Sequence, residues 1–188
     1  KYKISGENLN SSSFFHELNE KTKKVKENGG RLFFFGNGAS ASFSNHMALD
    51  WSKNGGILAF CLSDSAMLTA LANDYDFEGC FLEFLKINLP TSNDLVVTTS
   101  SSGNSRNIVK VLEYCKENKI INFGLSGLNE GNKTEILSHF SLFVPMKTYG
   151  MVECIHQLFH HIFLDKFMGI EEWNKTESQN MDASNFKL

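Results

Sequence analysis

The chain has 188 residues, 41% of them hydrophobic, with only two prolines, a length that supports one well-buried core and is short for two. A formal net charge of -3 leaves no polycationic surface for a phosphate backbone, which argues against a nucleic-acid partner. No apolar run approaches the roughly 20 residues of a membrane helix, and residues 1–10 lack the apolar segment of a secretion signal, so a cytoplasmic location with no membrane partner is expected.

After a polar start, residues 11–28 read as an amphipathic helix with serines near its N-cap, stopped by Gly29-Gly30. Five short apolar runs follow at 32–35, 57–62, 95–98, 120–125 and 140–144, each with the length and composition of a buried strand. Helical patterns at 39–51, 65–72 with 77–88, 104–118 and 133–137 separate them, and a last helix spans 150–168. This alternation predicts an α/β domain: a five-stranded parallel sheet with right-handed crossovers and helices on both faces, three layers in all. Residues 1–188 then form a single domain, with 31–168 as its core and 171–188 as a polar, partly disordered tail. Cys61, Cys80, Cys115 and Cys154 form no C-x-x-C pair and sit in apolar segments, the pattern of buried, reduced thiols.

In such a sheet, binding groups gather in loops at the carboxyl ends of the strands. The first strand runs into Gly36-Asn37-Gly38-Ala39-Ser40, where glycines let backbone N–H groups approach an anion and a helix N-terminus adds its dipole. A strand-to-helix turn needs a glycine and a cap in any case. The third strand runs into Thr99-Ser100-Ser101-Ser102-Gly103-Asn104-Ser105, more hydroxyls than an N-cap requires, and hydroxyls with exposed N–H groups suit a phosphate. Neither loop is a Walker motif, and no G-x-G-x-x-G is present, which disfavours a nucleotide-dependent enzyme.

His46 and Asp50 are spaced i, i+4, so they share a helix face and suit metal binding or acid/base work, although an ordinary hydrogen-bonded pair has the same spacing. The last helix carries Glu153, His156, His160 and His161. Helical spacing puts Glu153, His156 and His160 on one face, with His161 about 80° from Glu153 and roughly 12 Å along the axis. By geometry alone His160 is the better partner for Glu153. Packing at a subunit interface is the other reading of these histidines.

Six stretches together carry a specific resemblance: GNGAS followed by NHMALD, then SDSAMLTALANDYDFE, TTSSSGNSRNIVKVLEYCKE, IINFGLSG and VECIHQLFHHIF. In order and spacing they resemble the SIS-domain phosphoheptose isomerases from the first helix to about Met168. The resemblance implies isomerisation of D-sedoheptulose 7-phosphate to D-glycero-D-manno-heptose 7-phosphate through an enediol, the first step toward the heptose of bacterial lipopolysaccharide or capsule. It also implies a homotetramer with sites between subunits. Matched motif to motif, it places substrate contacts on Asn37, Gly38, Ala39, Asp50, Asn73, Asp74, Ser100, Ser101, Ser102, Ser105 and Glu153. It places zinc ligands on His46, Asp50, Glu153 and His161, with Asp50 and His161 as the catalytic pair, so His161 takes precedence over His160.

Three positions depart from the family pattern. Asp50 stands where a glutamate is usual, Glu153 where a glutamine is, and Tyr149-Gly150-Met151 where an arginine precedes the last helix. The first shortens the base by one methylene, the second adds a negative charge, and the third removes a cation. An isomerase for another sugar phosphate, or a non-catalytic SIS protein that binds a phosphosugar or a protein, are the alternatives that follow.

Overall fold

All five apolar runs become strands, and in a computed structural model, which describes residues 1–170, they lie in one sheet. In chain order the strands are β1 (Tyr2–Ile4), β2 (Glu7–Leu9), β3 (Leu32–Gly36), β4 (Ala59–Cys61), β5 (Leu95–Ser100), β6 (Ile121–Gly127) and β7 (Phe140–Val144). Their order across the sheet is β2-β1-β7-β6-β5-β3-β4, with β3 to β7 parallel. Continuous apolar sequence is what a parallel strand covered on both faces needs, and β3, β5 and β7 are buried at every residue.

The sheet therefore has seven strands where five are predicted. The additional two form a hairpin that adds antiparallel to β7, in the stretch read as a polar start. Each is three residues long, too short to show an alternating pattern. The turn between them, Ser5 (φ 49) and Gly6 (φ 89), has the two positive φ values of a tight hairpin whose twist matches its strands.

One face of the sheet carries α1 (Ser11–Glu27), α2 (Ala39–Asp50) and α6 (Tyr149–Met168), packed through Phe14, Leu18, Met47, Trp51, Val152 and Phe163. The other carries α3 (Ser65–Ile87), α4 (Arg106–Glu117) and α5 (Lys133–Leu137), with Phe81, Phe84, Ile108 and Leu112 in the core. The three-layer α/β architecture of the sequence reading is present. The N-cap of α1 is Asn10, whose side chain accepts from Ser13 N at 2.9 Å, in place of the neighbouring serines. Cys80 and Cys115 are buried, but Cys154 is exposed on the outer side of α6, because an apolar run on a helix still has a face turned away from the sheet. No described helix is long and apolar enough to cross a membrane. The tail at 171–188 lies outside the described residues.

Two local features interrupt the regular helices. At its end α2 passes into a π-helical turn, Trp51–Gly55, which seats the fully buried Trp51 ring between Phe163 and Phe167 at 4.7 and 4.8 Å. The α3 helix is broken at Asp76 (φ 61, ψ 166), within the gap between the two helical patterns of the sequence, and Asp76 Oδ1 accepts from Gly79 N at 2.7 Å to cap the second half. That backbone region is nearly reserved for glycine and costs an aspartate about 1–3 kcal/mol, whereas glycine replaces a capping side chain at a loss of a few tenths. Asp76→Gly is accordingly expected to stabilise the fold by about 1 kcal/mol, raising Tm by roughly 2–4 °C in thermal denaturation. An unchanged or lower Tm would show that the Asp76 side chain stabilises the break by more than its backbone strain costs.

Candidate active site

The two loops singled out in the sequence follow β3 and β5, the first and third strands of the parallel series. Because β4 lies at the sheet edge, β3 and β5 are direct neighbours, with Gly36 paired to Thr99. Both loops thus leave the same edge side by side. They are joined by a reciprocal amide pair: Asn37 Nδ2 donates to Asn107 Oδ1, and Asn107 Nδ2 to Asn37 Oδ1, each at 3.0 Å. Gly38, the N-cap of α2, has φ 57 and ψ -124, a conformation that residues with a Cβ avoid, and Ala39 begins the helix. Asn107 was not picked out from sequence. Its signal is a polar residue at a core-facing position in the first turn of α4, where it is 3% exposed.

In the hydroxyl loop, Ser100 Oγ donates to Ser105 Oγ at 3.1 Å and Asn104 N donates to Ser102 Oγ at 3.3 Å. Ser105 is the N-cap of α4 but makes no capping bond with its side chain. Ser101 Oγ is buried without a hydrogen-bond partner. Gly103 (φ +66) folds the loop so closely that a Cβ there would lie 2.0 Å from Asn132 Oδ1. Asn107 Oδ1 accepts from Ile108 N at 3.0 Å in the first turn of α4, and the hydroxyls and remaining N–H groups, with no cation in the loop itself, are of the kind that can receive an anion by hydrogen bonds.

The second group of residues lies between α2 and α6. His46 Nε2 is 3.1 Å from Asp50 Oδ2, one helical turn away, and the His46 and His161 rings have centroids 5.3 Å apart. One ligand atom from each of His46, Asp50 and His161 lies within 4.8 Å of the other two. Two imidazoles and a carboxylate are a donor set that zinc takes in catalytic sites, leaving a position open, so the residues present fit such an ion. Glu153 is not in this cluster. It lies eight residues before His161 on the same helix, roughly 12 Å along the axis.

The remaining residues expected at the site are placed differently. Asn73 and Asp74 are exposed on α3, where Asn73 Nδ2 donates to Asp74 Oδ1 at 3.0 Å. His156 and His160, on the face that helical spacing favours, are fully buried against the sheet. His156 Nε2 donates to the Ser126 carbonyl at 3.1 Å, and His160 Nε2 and Thr99 Oγ1 are hydrogen-bonded at 2.8 Å. Burial lowers His156 to about 4, against a smaller upward effect of the Ser126 bond. Burial, with smaller contributions from His156 and His161, lowers His160 to about 3. Both rings are neutral at pH 7. A groove of about 630 Å³ lined by Lys3, Lys119, Asn122 and His139 flanks the amino ends of β6 and β7 and contains none of the clustered or hydroxyl-loop residues.

The parallel sheet with a hydroxyl loop at its carboxyl edge, covered on one face by the helices that bring His46, Asp50 and His161 together, is that of the SIS-domain sugar isomerases, enzymes that interconvert ketoses and aldoses. No family model matches the chain. It is 34% identical over 145 residues to phosphoheptose isomerase 2 of Campylobacter jejuni, covering 74% of this chain and 71% of that protein. It is 33% identical over 166 residues to phosphoheptose isomerase of Aneurinibacillus thermoaerophilus, covering 80% and 83%. The solved phosphoheptose isomerase from Neisseria gonorrhoeae superposes with a TM-score of 0.74 at 26% identity, over 84% of this chain and 86% of that one. The chain belongs to the phosphoheptose isomerase family, a family of aldose-ketose isomerases.

Proposed function

We propose that the protein isomerises D-sedoheptulose 7-phosphate to D-glycero-D-manno-heptose 7-phosphate in the cytoplasm, as the first step of heptose biosynthesis for lipopolysaccharide or capsule. The observation that carries this reading is the His46, Asp50 and His161 cluster between α2 and α6, in which His161 follows the His160 that is hydrogen-bonded to Thr99 at the start of the hydroxyl segment. Asp50 removes a proton from C1 while His161 protonates the C2 oxygen, giving the enediol. The C1 hydroxyl then loses its proton as C2 regains one, so that one hydrogen has moved from C1 to C2 and the carbonyl from C2 to C1. Ser100, Ser101, Ser102 and Ser105 hold the phosphate, and Asn37, Gly38, Ala39, Asn73 and Asp74 contact the sugar, so binding remote from C1 and C2 aligns the reacting carbons. Zinc held by His46, Asp50 and His161 supplies Lewis-acid polarisation of the carbonyl when bound.

Glu153 enters this reading through assembly. Glu153 is not among the clustered donors, so the Glu153 that would ligate an ion there and contact substrate is assigned to another subunit of a homotetramer. Tyr149, Met151 and Leu158 on α6 and Leu49 on α2 are all more than half exposed, an apolar surface of the kind that assembly covers.

An NMR time course with sedoheptulose 7-phosphate, with added zinc and with a chelator, tests the proposal. Appearance of the aldoheptose 7-phosphate, slowed by the chelator, is expected. Conversion of a different ketose phosphate alone would reassign the substrate, an outcome to which Tyr149-Gly150-Met151 in place of a cation points. No conversion of any sugar phosphate would leave a binding protein.

A further inference from the structure

The structure assigns to His160 a positioning role: its hydrogen bond to Thr99 sets the distance between the hydroxyl loop and the segment of α6 that carries His161. The inference rests on the function proposed above. Thr99 is the first residue of the hydroxyl stretch and pairs across the sheet with Gly36, the first residue of the glycine loop. Phe34, two residues before Gly36, meets the His160 ring edge-on at 6.1 Å. A single side chain on α6 thus touches both strands directly beneath both loops. The next residue along the helix is His161, whose ring lies against His46.

An apolar side chain would fill a position against Phe34 without burying polar atoms. His160 is fully buried and leaves Nδ1 without a partner, which carries a desolvation cost. In return it supplies one directional bond of 2.8 Å in a place closed to water, where such a bond is strong and its loss is felt by both partners. Packing alone tolerates small sliding of a helix over a sheet, whereas a buried hydrogen bond fixes the register. A substrate with phosphate at one end and its reacting carbons at the other must be held at both, and a misplacement of about 1 Å there costs on the order of 100-fold in rate.

The test compares the parent with His160→Leu, His160→Gln and Thr99→Val. Each is assayed for turnover of sedoheptulose 7-phosphate, affinity for inorganic phosphate, affinity for zinc by chelator competition, and Tm. The expected result is a kcat about tenfold or more below the parent for His160→Leu and Thr99→Val, with phosphate and zinc affinities within about twofold, since each probe engages one end of the site alone. His160→Gln, which can still bond Thr99, recovers most of the loss. The double variant His160→Leu with Thr99→Val is no worse than either single one, because both remove the same interaction.

Single variants with parental kcat, or losses that multiply in the double variant, would overturn the positioning role while leaving the proposed function standing. So would falls in phosphate affinity, zinc affinity and Tm together, the signature of a purely structural residue. Absence of turnover in the parent would remove both. If His160→Leu fails to fold, Thr99→Val and His160→Gln carry the same comparison.

Discussion

Replacement of Asp50 by Asn, or of His161 by Ala, is expected to lower kcat by about 10²–10⁴-fold while the protein remains folded, because each removes one half of the proposed proton-transfer pair. Asp50→Asn keeps the shape of the side chain and its reach to His46 Nε2, but an amide cannot accept a proton from carbon. His161→Ala removes the proposed acid and one of the three clustered donors. Asp50 and His161 are both only partly buried, so neither substitution opens a cavity in the core. Kinetics on sedoheptulose 7-phosphate, with circular dichroism as the control for folding, decide the matter. Activity within about tenfold of the parent would take both residues out of the catalytic role.

The second large effect is a loss of stability in mild acid. Burial pushes His156 down to about 4 and His160 down to about 3 in the folded protein, from the 6.5 of an ordinary imidazole. A histidine whose folded pKa lies below its unfolded one takes up its proton preferentially on unfolding. The associated stability is complete above pH 6.5 and is lost as the pH falls toward the folded values. Between pH 7 and pH 5 each residue should cost about 2 kcal/mol, together about 4 kcal/mol, a large part of the 5–15 kcal/mol typical of a domain. Urea denaturation at the two pH values, with a chelator present and at fixed protein concentration, measures this. His156→Gln, which can still donate to Ser126 but does not titrate, should lose about half as much as the parent. Equal losses in the two proteins would mean that His156 is not held neutral by its burial.

The same two histidines show where sequence reading meets its limit. Spacing on α6 groups His156 with His160 apart from His161 and by itself makes His160 the better partner for Glu153, yet both grouped histidines are buried away from His46 and Asp50. The grouped face is the one turned to the sheet. Helical periodicity says which residues share a face, and it says nothing about which neighbour that face meets. Histidine suits a core position as well as a solvent-lined one once a partner such as Thr99 or the Ser126 carbonyl is supplied. Motif resemblance chose His161, and the packing of α2 against α6 brings that residue to His46.

The amino-acid sequence by itself determined the β/α alternation, the parallel strands, the break in α3 and the two loops of small and hydroxyl residues, because these depend on local composition and on hydrophobic periods of two and 3.6. It also carried the family, through motifs whose order and spacing are specific. Tertiary structure alone decided that β3 and β5 are neighbours, that Asn37 pairs with Asn107, that a short hairpin extends the sheet at β7, and that His46, Asp50 and His161 converge while Glu153 stays apart. The physical reason is common to all four. Each is a contact between segments far apart in the chain, selected by how whole faces pack, and no local pattern encodes which distant face a residue will meet.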